Sequence, residues 1–195
     1  MGLSIRTGTW DDEPRIGALL ALSFAADPFV RWLMPDAQKM IEDSSRHPRR
    51  AYAPAFDLGT VHILGDFAGA AMWLPPGAES DRSEEIAAAE DTVAPTFPRE
   101  FPELLHRSEA YRPATPHWYL GLIAVDPVHR GKGHGTRLLE HGLALCDRDG
   151  LPAYLESTNA ANLTVYKRAG FELLDEVQVG TSPKRYPMLR PARDK

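Results

Sequence analysis

The chain of 195 residues contains a single cysteine and no apolar run long enough to cross a membrane. With Cys146 alone, an internal disulfide and a metal site built from several cysteines are both excluded. Cys146 falls on a helical apolar stripe with Leu139 and Leu143, which predicts a buried core thiol. The N-terminus also lacks the basic and apolar segments of a signal peptide. These absences predict a cytoplasmic protein with no membrane partner.

The sequence also has no excess of basic residues over acidic ones. The 22 lysines and arginines are outnumbered by 27 aspartates and glutamates, which leaves a net charge of −5 at pH 7. Nonspecific nucleic-acid binding depends on a dense cationic surface, so this balance argues against a nucleic-acid partner. The histidines His129, His134 and His141 match no metal-binding spacing, and no metal is predicted.

Three alternating glycines between a predicted strand and a predicted helix are the strongest signal in the sequence. The strand covers residues 117–125, the helix covers 133–148, and residues 130–135 read Arg-Gly-Lys-Gly-His-Gly. Glycines let a ligand approach the backbone closely, and the unpaired N–H groups at the start of a helix favour an anion. The cations Arg130 and Lys132 add positive charge beside them. The segment therefore predicts a phosphate or pyrophosphate site.

Two well-known phosphate-binding motifs fit this spacing poorly. A Walker A loop needs Ser or Thr directly after its lysine, whereas Lys132 lies between glycines. A dinucleotide-binding fingerprint needs Gly-x-Gly-x-x-Gly directly after a strand, but the pattern here is Gly-x-Gly-x-Gly and begins well beyond Val125. Because Glu156 lies about 20 residues after Gly135 at the end of a predicted strand, a dinucleotide-binding protein stays open as a weaker alternative.

A third pattern, Arg-x-x-Gly-x-Gly, is filled by Arg130, Gly133 and Gly135. With it, the sequence resembles the GNAT superfamily of N-acetyltransferases, whose pyrophosphate-binding loop has this form. A second block strengthens the resemblance and lies at the family's spacing. It consists of Tyr-Leu-Glu-Ser at 154–157, Asn-Ala-Ala-Asn at 159–162, then Tyr166 and Gly-Phe at 170–171. Together the two blocks span residues 117–172.

The resemblance implies an α/β fold of the mixed α+β kind. Its centre would be a mostly antiparallel, twisted sheet with flanking helices, in which strands 4 and 5 form a splayed parallel pair. We expect one domain over residues 1–195, with a cofactor-binding core at about 117–172. A helical acceptor-side region would cover about 10–58, and a variable insertion about 78–116.

The resemblance also implies acetyl coenzyme A as the cosubstrate. The backbone of strand 4 would pair with the pantetheine arm, and the Val125 N–H would face the thioester oxygen. Gly121 is compatible with a bulge that would help strands 4 and 5 to splay, and close packing is an alternative reason for a glycine there. N-capping of a helix is an alternative role for Asn162. The cofactor-binding residues expected from the resemblance are Ile123, Ala124, Val125, Arg130, Gly131, Lys132, Gly133, His134, Gly135, Thr136, Asn162 and Arg168.

Tyr166 matches the family's catalytic tyrosine. A phenol, with an ordinary pKa of roughly 10, can pass a proton to a departing thiolate, whose ordinary pKa is roughly 8.5. Packing on an apolar helix face is the alternative role. The amine must also lose a proton, and we rank Glu156 and His117 together as candidate bases, because they lie on the two strands that flank the expected reaction centre.

These patterns predict an N-acetyltransferase that moves an acetyl group directly to a primary amine of a small molecule or peptide. The alternative is a noncatalytic acyl-coenzyme sensor, and a homodimer is left open. Family architecture would place the acceptor between the first helices and the last hairpin, so the residues expected to line its pocket are Phe24, Phe29, Trp32, Trp73 and Trp118.

The remaining elements follow from local patterns. Two or three helices are predicted between a first strand at 4–7 and a second at 61–64, with Asp27 and Asp36 as N-caps. Gly65 and Asp66 predict a two-residue hairpin turn. Helical patches are predicted at 83–90 and 102–111, and a final hairpin over 171–189.

Overall fold

The computed structural model describes residues 2–78 and 97–193, and the side chains at 43 and 45–51 are also left aside. The strands are β1 Ile5–Thr7, β2 Val61–Leu64, β3 Gly69–Leu74, β4 Trp118–Val125, β5 Ala153–Ser157, β6 Glu172–Leu173 and β7 Tyr186–Arg190. The helices are α1 Glu13–Ser23, α2 Pro28–Leu33, α3 Ala37–Asp57, α4 Phe101–Glu109, α5 His134–Asp149 and α6 Leu163–Arg168. The patch predicted at 83–90 lies outside the described residues, whereas α4 confirms the patch predicted at 102–111.

The strands form one mixed sheet in the order β1-β2-β3-β4-β5-β7-β6. All neighbours are antiparallel except β4 and β5, which are parallel and joined through α5. The predicted fold class is therefore confirmed. Among the described residues, no helix combines the length and apolar character that a membrane span needs.

Short polar caps start the first helices. Asp12 accepts a hydrogen bond from the Thr9 N–H at 2.9 Å, which begins the 3-10 turn before α1. Asp27 and Asp36 each accept backbone N–H groups at the start of α2 and α3, as their positions in the sequence predict. Helix α3 is kinked at Tyr52, in the turn before Pro54.

The turn between β2 and β3 differs from the predicted two-residue hairpin. The strands end at Leu64 and resume at Gly69, so four residues connect them. The Ala68 N–H donates to the Leu64 carbonyl at 3.0 Å and closes the wider turn. Gly65 and Phe67 both have positive φ there, at 56° and 61°. A turn with these two residues in the left-handed region does not match the geometry of a two-residue connection.

The sheet has helices on both faces. Helices α1 and α3 pack on one face through residues such as Ile16, Leu20 and Phe56, and α5 covers the other. On the α5 face, Trp73 lies directly against Gly142, so the helix approaches the sheet closely. Cys146 is a buried core thiol on this face, as predicted, and burial raises its pKa to about 12.

A bulge at Gly121 shifts the pairing of β3 and β4. Met72 pairs with Leu122, but Trp73 pairs with Leu120, so Gly121 is the extra residue on β4. The Tyr52 ring packs where a Cβ at 121 would lie, and its hydroxyl donates to the Gly121 carbonyl at 2.8 Å. The predicted bulge is confirmed, and it is held in place from the α3 side.

The strands β4 and β5 separate just beyond this bulge. Their parallel pairing covers only Trp118 to Leu120 on β4, against Ala153 to Leu155 on β5. The last residues of β4 therefore stay paired with β3 while their other edge faces a gap. This gap is the opening in which the site described below lies.

The chain after β5 closes the other side of the gap. Asn159 caps a 3-10 turn by accepting the Ala161 N–H at 2.9 Å, and α6 follows it. Gly170, with φ of 95°, ends this segment. The final hairpin is confirmed, although β6 is short and it is β7 that pairs with β5.

Candidate active site

A cleft of about 660 Å³ opens at the separated ends of β4 and β5. Its walls come from the end of α1, the glycine loop, the start of α5 and helix α6. All the predicted cofactor-binding residues except Lys132 line this cleft. Eight further residues that were not predicted as site residues also line it: Ser23, Ala26, Asp27, His129, Leu139, Asn159, Ala161 and Val165.

The edge of β4 offers free backbone groups to the cleft. The Asp126 N–H donates to the Ala68 carbonyl at 3.1 Å, and Asp126 lies opposite Ala68 in the antiparallel ladder. Because hydrogen-bonded pairs alternate along such a ladder, the peptide groups of Ile123 and Val125 point away from β3. The Ser23 hydroxyl reaches the Val125 carbonyl from this side, at 3.0 Å. The edge of β4 that faces the gap can therefore pair with an extended ligand as with an additional strand.

The glycine loop has a backbone that favours glycine at two positions. Gly131 and Gly133 have φ of 75° and 77°, in the left-handed region. A Cβ at either position would meet no heavy atom within 4 Å, so both face open space. Gly133 is the N-cap residue of α5 and supplies no capping side chain. The first N–H groups of a 16-residue helix thus lack a side-chain cap, as an anion site requires.

The two cations of the loop contact nearby backbone in this structure. Arg130 donates to the Ser23 carbonyl at 2.6 Å, and it lines the cleft. The Lys132 ammonium donates to the Val128 carbonyl at 3.1 Å, outside the cleft lining. Ser23 therefore contacts both the loop and the end of β4, which ties α1 to the anion site.

Tyr166 lies on α6 with its side chain facing the cleft, and only 7% of the residue is exposed. Its ring packs edge-on against Phe171 at 6.1 Å. Burial, with a smaller contribution from the negative charge of Asp27, raises the pKa of the phenol to about 12. The hydroxyl is protonated at neutral pH, as an ordinary phenol is, and the raised pKa makes it a weaker acid than an ordinary phenol.

Asp27 is the functional candidate that the sequence interpretation missed. It lines the same cleft as Tyr166, is 7% exposed, and burial raises the pKa of its carboxyl group. In the sequence it looks like any helix cap, since Asp36 caps the next helix in the same way. What distinguishes Asp27 is burial in the cleft, and no local sequence pattern signals that.

The two bases predicted from the sequence lie outside the cleft lining. The Glu156 carboxylate is fully buried, forms an ion pair with Arg185 and accepts a hydrogen bond from the Tyr154 hydroxyl at 3.0 Å. His117 is buried just before β4, with its Nδ1 2.8 Å from the Thr115 carbonyl oxygen. It precedes Ile123 by six residues of extended chain, which is roughly 20 Å. The structure therefore does not bring His117 to the end of β4.

The aromatic residues predicted to line an acceptor pocket divide into three groups. Phe24 lines the cleft itself. Phe29 and Trp32 cluster with Phe101 of α4, with ring centroids 6.0 to 6.5 Å apart. Trp73 and Trp118 are buried in the core on the α5 face, so neither indole presents surface to a bound molecule.

This arrangement combines an anion cradle, a free strand edge and a buried proton donor in one cleft. A ligand with a phosphate at one end and an extended amide-containing arm fits these features, because the arm can follow β4 from the glycine loop inward. Within the described residues, no group of three or more histidine, cysteine or acidic side chains is placed to hold a metal ion.

Comparison with known proteins supports the same interpretation. A sequence model of the Acetyltransferase (GNAT) family matches residues 23–171. An uncharacterized N-acetyltransferase of Schizosaccharomyces pombe is 28% identical over 142 residues, which are 67% of this chain but only 58% of that relative.

Solved structures share the fold over nearly the whole chain. The crystal structure of a histone acetyltransferase HPA2 and related acetyltransferase from Corynebacterium glutamicum has a TM-score of 0.71 and 26% identity, covering 100% of this chain and 99% of that one. Arylalkylamine N-acetyltransferase 2 from Aedes aegypti has a TM-score of 0.70 at 15% identity, covering 98% of this chain and 99% of that one. The second likeness concerns the fold alone.

Proposed function

The chain belongs to the acetyltransferase (GNAT) family, and on that premise we propose that it transfers an acetyl group from acetyl coenzyme A directly to a primary amine of a small molecule or peptide. The observation that carries the proposal is the position of the protonated, buried Tyr166 in the same cleft as the glycine loop and the free edge of β4. We treat residues 1–195 as one catalytic domain, with the helices at about 10–58 on the acceptor side.

The coenzyme would lie along the cleft from the loop to Tyr166. The N–H groups of Gly131, Gly133 and the first turn of α5 would hold the pyrophosphate, with Arg130 as a nearby cation. The peptide groups of Ile123 and Val125 would pair with the pantetheine arm as an added strand. Asn162 and Arg168 line the opposite wall and would contact the coenzyme from α6.

Tyr166 would supply the proton that the leaving thiolate needs. The amine nitrogen attacks the thioester carbonyl carbon, and negative charge develops on the carbonyl oxygen, where a backbone N–H of the β4 edge can stabilise it. When the carbon–sulfur bond breaks, the sulfur takes the phenolic proton. The Cys146 thiol is buried on the core face of α5 and is absent from the cleft lining, which leaves it no part in this chemistry.

The acceptor is proposed to be an amine with an apolar body. Phe24 lines the cleft, and the Phe29, Trp32 and Phe101 cluster lies on the α2 and α4 side. Apolar surface of this kind favours aliphatic or aromatic amines over polar polyamines. A competition assay in which polyamines outperform every hydrophobic amine would contradict this choice of acceptor.

The test of the proposed function pairs binding with turnover. Isothermal titration with acetyl coenzyme A, coenzyme A, NADH and ATP is expected to show binding of the two coenzyme A forms. With an amine panel and detection of free thiol, Tyr166→Phe should keep the coenzyme affinity and lower kcat by about 100-fold or more, the usual effect of removing a general acid. Tyr111→Phe is the control, because Tyr111 bonds Asp175 outside the cleft.

Two results would contradict the proposal. Preference for NADH would favour the dinucleotide-binding alternative. Coenzyme A binding without turnover of any amine would favour a noncatalytic acyl-coenzyme sensor.

A further inference from the structure

Asp27 is the only carboxylate among the described residues that line the cleft. One oxygen, Oδ1, accepts the Phe29 and Val30 N–H groups at 3.0 and 3.1 Å. The other, Oδ2, accepts the Thr158 hydroxyl at 2.9 Å. A carboxylate has about four acceptor positions on its two oxygens, so these three bonds leave one position on Oδ2. That position is available to a proton in the cleft.

Capping a helix does not explain why this carboxylate is buried. Asp36 caps α3 with one N–H bond from Lys39 at 2.9 Å while remaining exposed. Asp27 instead lines the same cleft as Tyr166 and is held by Thr158, which follows directly after β5. Burying a carboxylate is unfavourable, and the raised pKa of Asp27 records that the folded state disfavours its charged form. A position of this kind is typical of a functional group.

We propose that Asp27 and Tyr166 form a proton relay, in which Asp27 takes the proton from the acceptor amine and returns it to Tyr166 after each transfer. This inference rests on the proposed acetyltransferase function and adds the base that the reaction needs. It replaces Glu156, whose carboxylate is engaged with Arg185 outside the cleft lining, and His117, which lies at the far end of β4.

The relay balances over one turnover. The amine nitrogen forms a bond to the thioester carbonyl carbon, and the carbonyl π electrons move to oxygen. An N–H proton of the resulting ammonium passes to Asp27 Oδ2, directly or through one water. The carbonyl then reforms, the carbon–sulfur bond breaks, and the sulfur takes the proton of Tyr166. Protonated Asp27 finally gives its proton to the Tyr166 phenolate through water in the cleft, so the amine proton ends on Tyr166 and the former Tyr166 proton on the coenzyme thiol.

The surroundings of the pair determine how it titrates. The titratable groups that line the cleft with Asp27 are Tyr166 and Arg168 on α6, His129 and Arg130 on the loop, and His134 at the start of α5. Raising the pKa of Asp27 makes it a better proton acceptor, and the charge of Asp27 makes Tyr166 hold its proton more firmly. The raised pKa of Asp27 favours uptake of the amine proton, and the raised pKa of Tyr166 favours the return of a proton to its phenolate but opposes the transfer to sulfur, which the bond-breaking step must drive.

Asp27→Asn is the sharpest test, because asparagine caps helices as well as aspartate does and has the same shape. Asp36→Asn is the matched control, since it makes the same change in an exposed cap outside the cleft. We expect Asp27→Asn to bind coenzyme A within about twofold of wild type and to lower kcat by about 100-fold or more, with little change in KM for the amine. In Asp27→Asn, the fall of kcat at acidic pH should disappear from the plot of kcat against pH. Asp27→Glu, which keeps a carboxylate, should retain part of the wild-type rate.

Thermal stability separates a lost relay from a damaged fold. Because the pKa of Asp27 is raised in the folded state, its charged form destabilises the fold at neutral pH, and this effect fades as the pH falls and the carboxylate takes up a proton. Asp27→Asn should therefore melt at or above the wild-type temperature at pH 7. A slower enzyme with an undiminished melting temperature would support the relay.

Three outcomes would overturn it. If Asp27→Asn has the same kcat and the same pH dependence of kcat as the wild type, Asp27 takes no part in proton transfer. A raised KM with unchanged kcat would mean that Asp27 binds the substrate ammonium instead. Failure of the wild-type protein to turn over any amine would remove the proposed function and the relay with it, whereas the first two outcomes leave that function standing.

Discussion

Replacing one glycine of the loop at a time with alanine tests whether backbone conformation builds the anion site. Gly133 has φ of 77° and ψ of 7°, whereas Gly135 lies within α5 with an ordinary helical φ. An added Cβ at Gly133 meets no atom within 4 Å, and one at Gly135 meets only the Val125 Cγ2 at 3.6 Å. Neither substitution is blocked by crowding. Any difference between them therefore comes from the left-handed φ of Gly133.

The size of the effect follows from the strain of a Cβ in the left-handed region. That strain is about 1–2 kcal/mol per residue. If Gly133→Ala keeps the loop conformation, the strain lowers the melting temperature by about 2–8 °C, since 1 kcal/mol corresponds to about 2–4 °C in a chain of this size. If the loop relaxes instead, its N–H groups turn away from the phosphate, and the same free energy weakens coenzyme binding by about 5- to 30-fold. Gly135→Ala should show neither change, because alanine is the better helix former.

Differential scanning fluorimetry and isothermal titration with coenzyme A measure both quantities on the same samples. Gly131→Ala, with φ of 75°, should behave like Gly133→Ala and serves as an internal repeat. Equal melting temperatures and equal affinities for Gly133→Ala and Gly135→Ala would refute the reasoning. The positive φ of Gly133 would then contribute neither to the stability of the fold nor to the affinity for coenzyme A.

Two further predictions concern the core. A Cβ at Gly142 would overlap the Trp73 indole, so Gly142→Ala should destabilise the protein by about 1–3 kcal/mol, and a smaller side chain at 73 should recover part of that loss in denaturant titrations. His62 is buried against His141 and its pKa is lowered to about 4, mainly by burial. Its neutral form stabilises the fold, and because the unfolded chain takes up the proton first, stability should fall by roughly 3 kcal/mol as the pH drops from 6.5 to 4. In His62→Leu, the urea concentration at the unfolding midpoint should depend less on pH between 6.5 and 4 than in the wild type. A control substitution at the exposed His106 should leave this pH dependence unchanged. If His62→Leu also leaves it unchanged, His62 is not the group responsible.

Local patterns alone were enough to predict much of the glycine-loop side of the cleft. The strand β4, the glycine loop and the start of α5 are contiguous in sequence, and their signals act over a few residues. An apolar run forms a strand, a left-handed φ favours glycine, and an uncapped helix start attracts an anion. Asn159 and Gly170 at the ends of the α6 segment are local signals of the same kind, because backbone capping depends on immediate neighbours.

The turn between β2 and β3 shows where such rules stop. Gly65 and Asp66 match a two-residue hairpin, yet the turn contains four residues. The register of β2 and β3 is set by burial of both strands on both faces, since every residue of each strand is buried. Packing over the whole sheet therefore determined the turn length and overrode the local preference of Gly65 and Asp66 for a two-residue turn.

Tertiary structure alone decided the surroundings of the acidic residues in and near the cleft. Glu156 pairs with Arg185, 29 residues away, and Asp27 bonds Thr158, 131 residues away, so neither environment is visible in the local sequence. Charge and acidity depend on what surrounds a group after folding, because burial removes water and brings distant partners close. The sequence by itself determined which backbone segments can hold a phosphate, since backbone conformation is local. Only the folded chain decided which carboxylate is buried in the cleft.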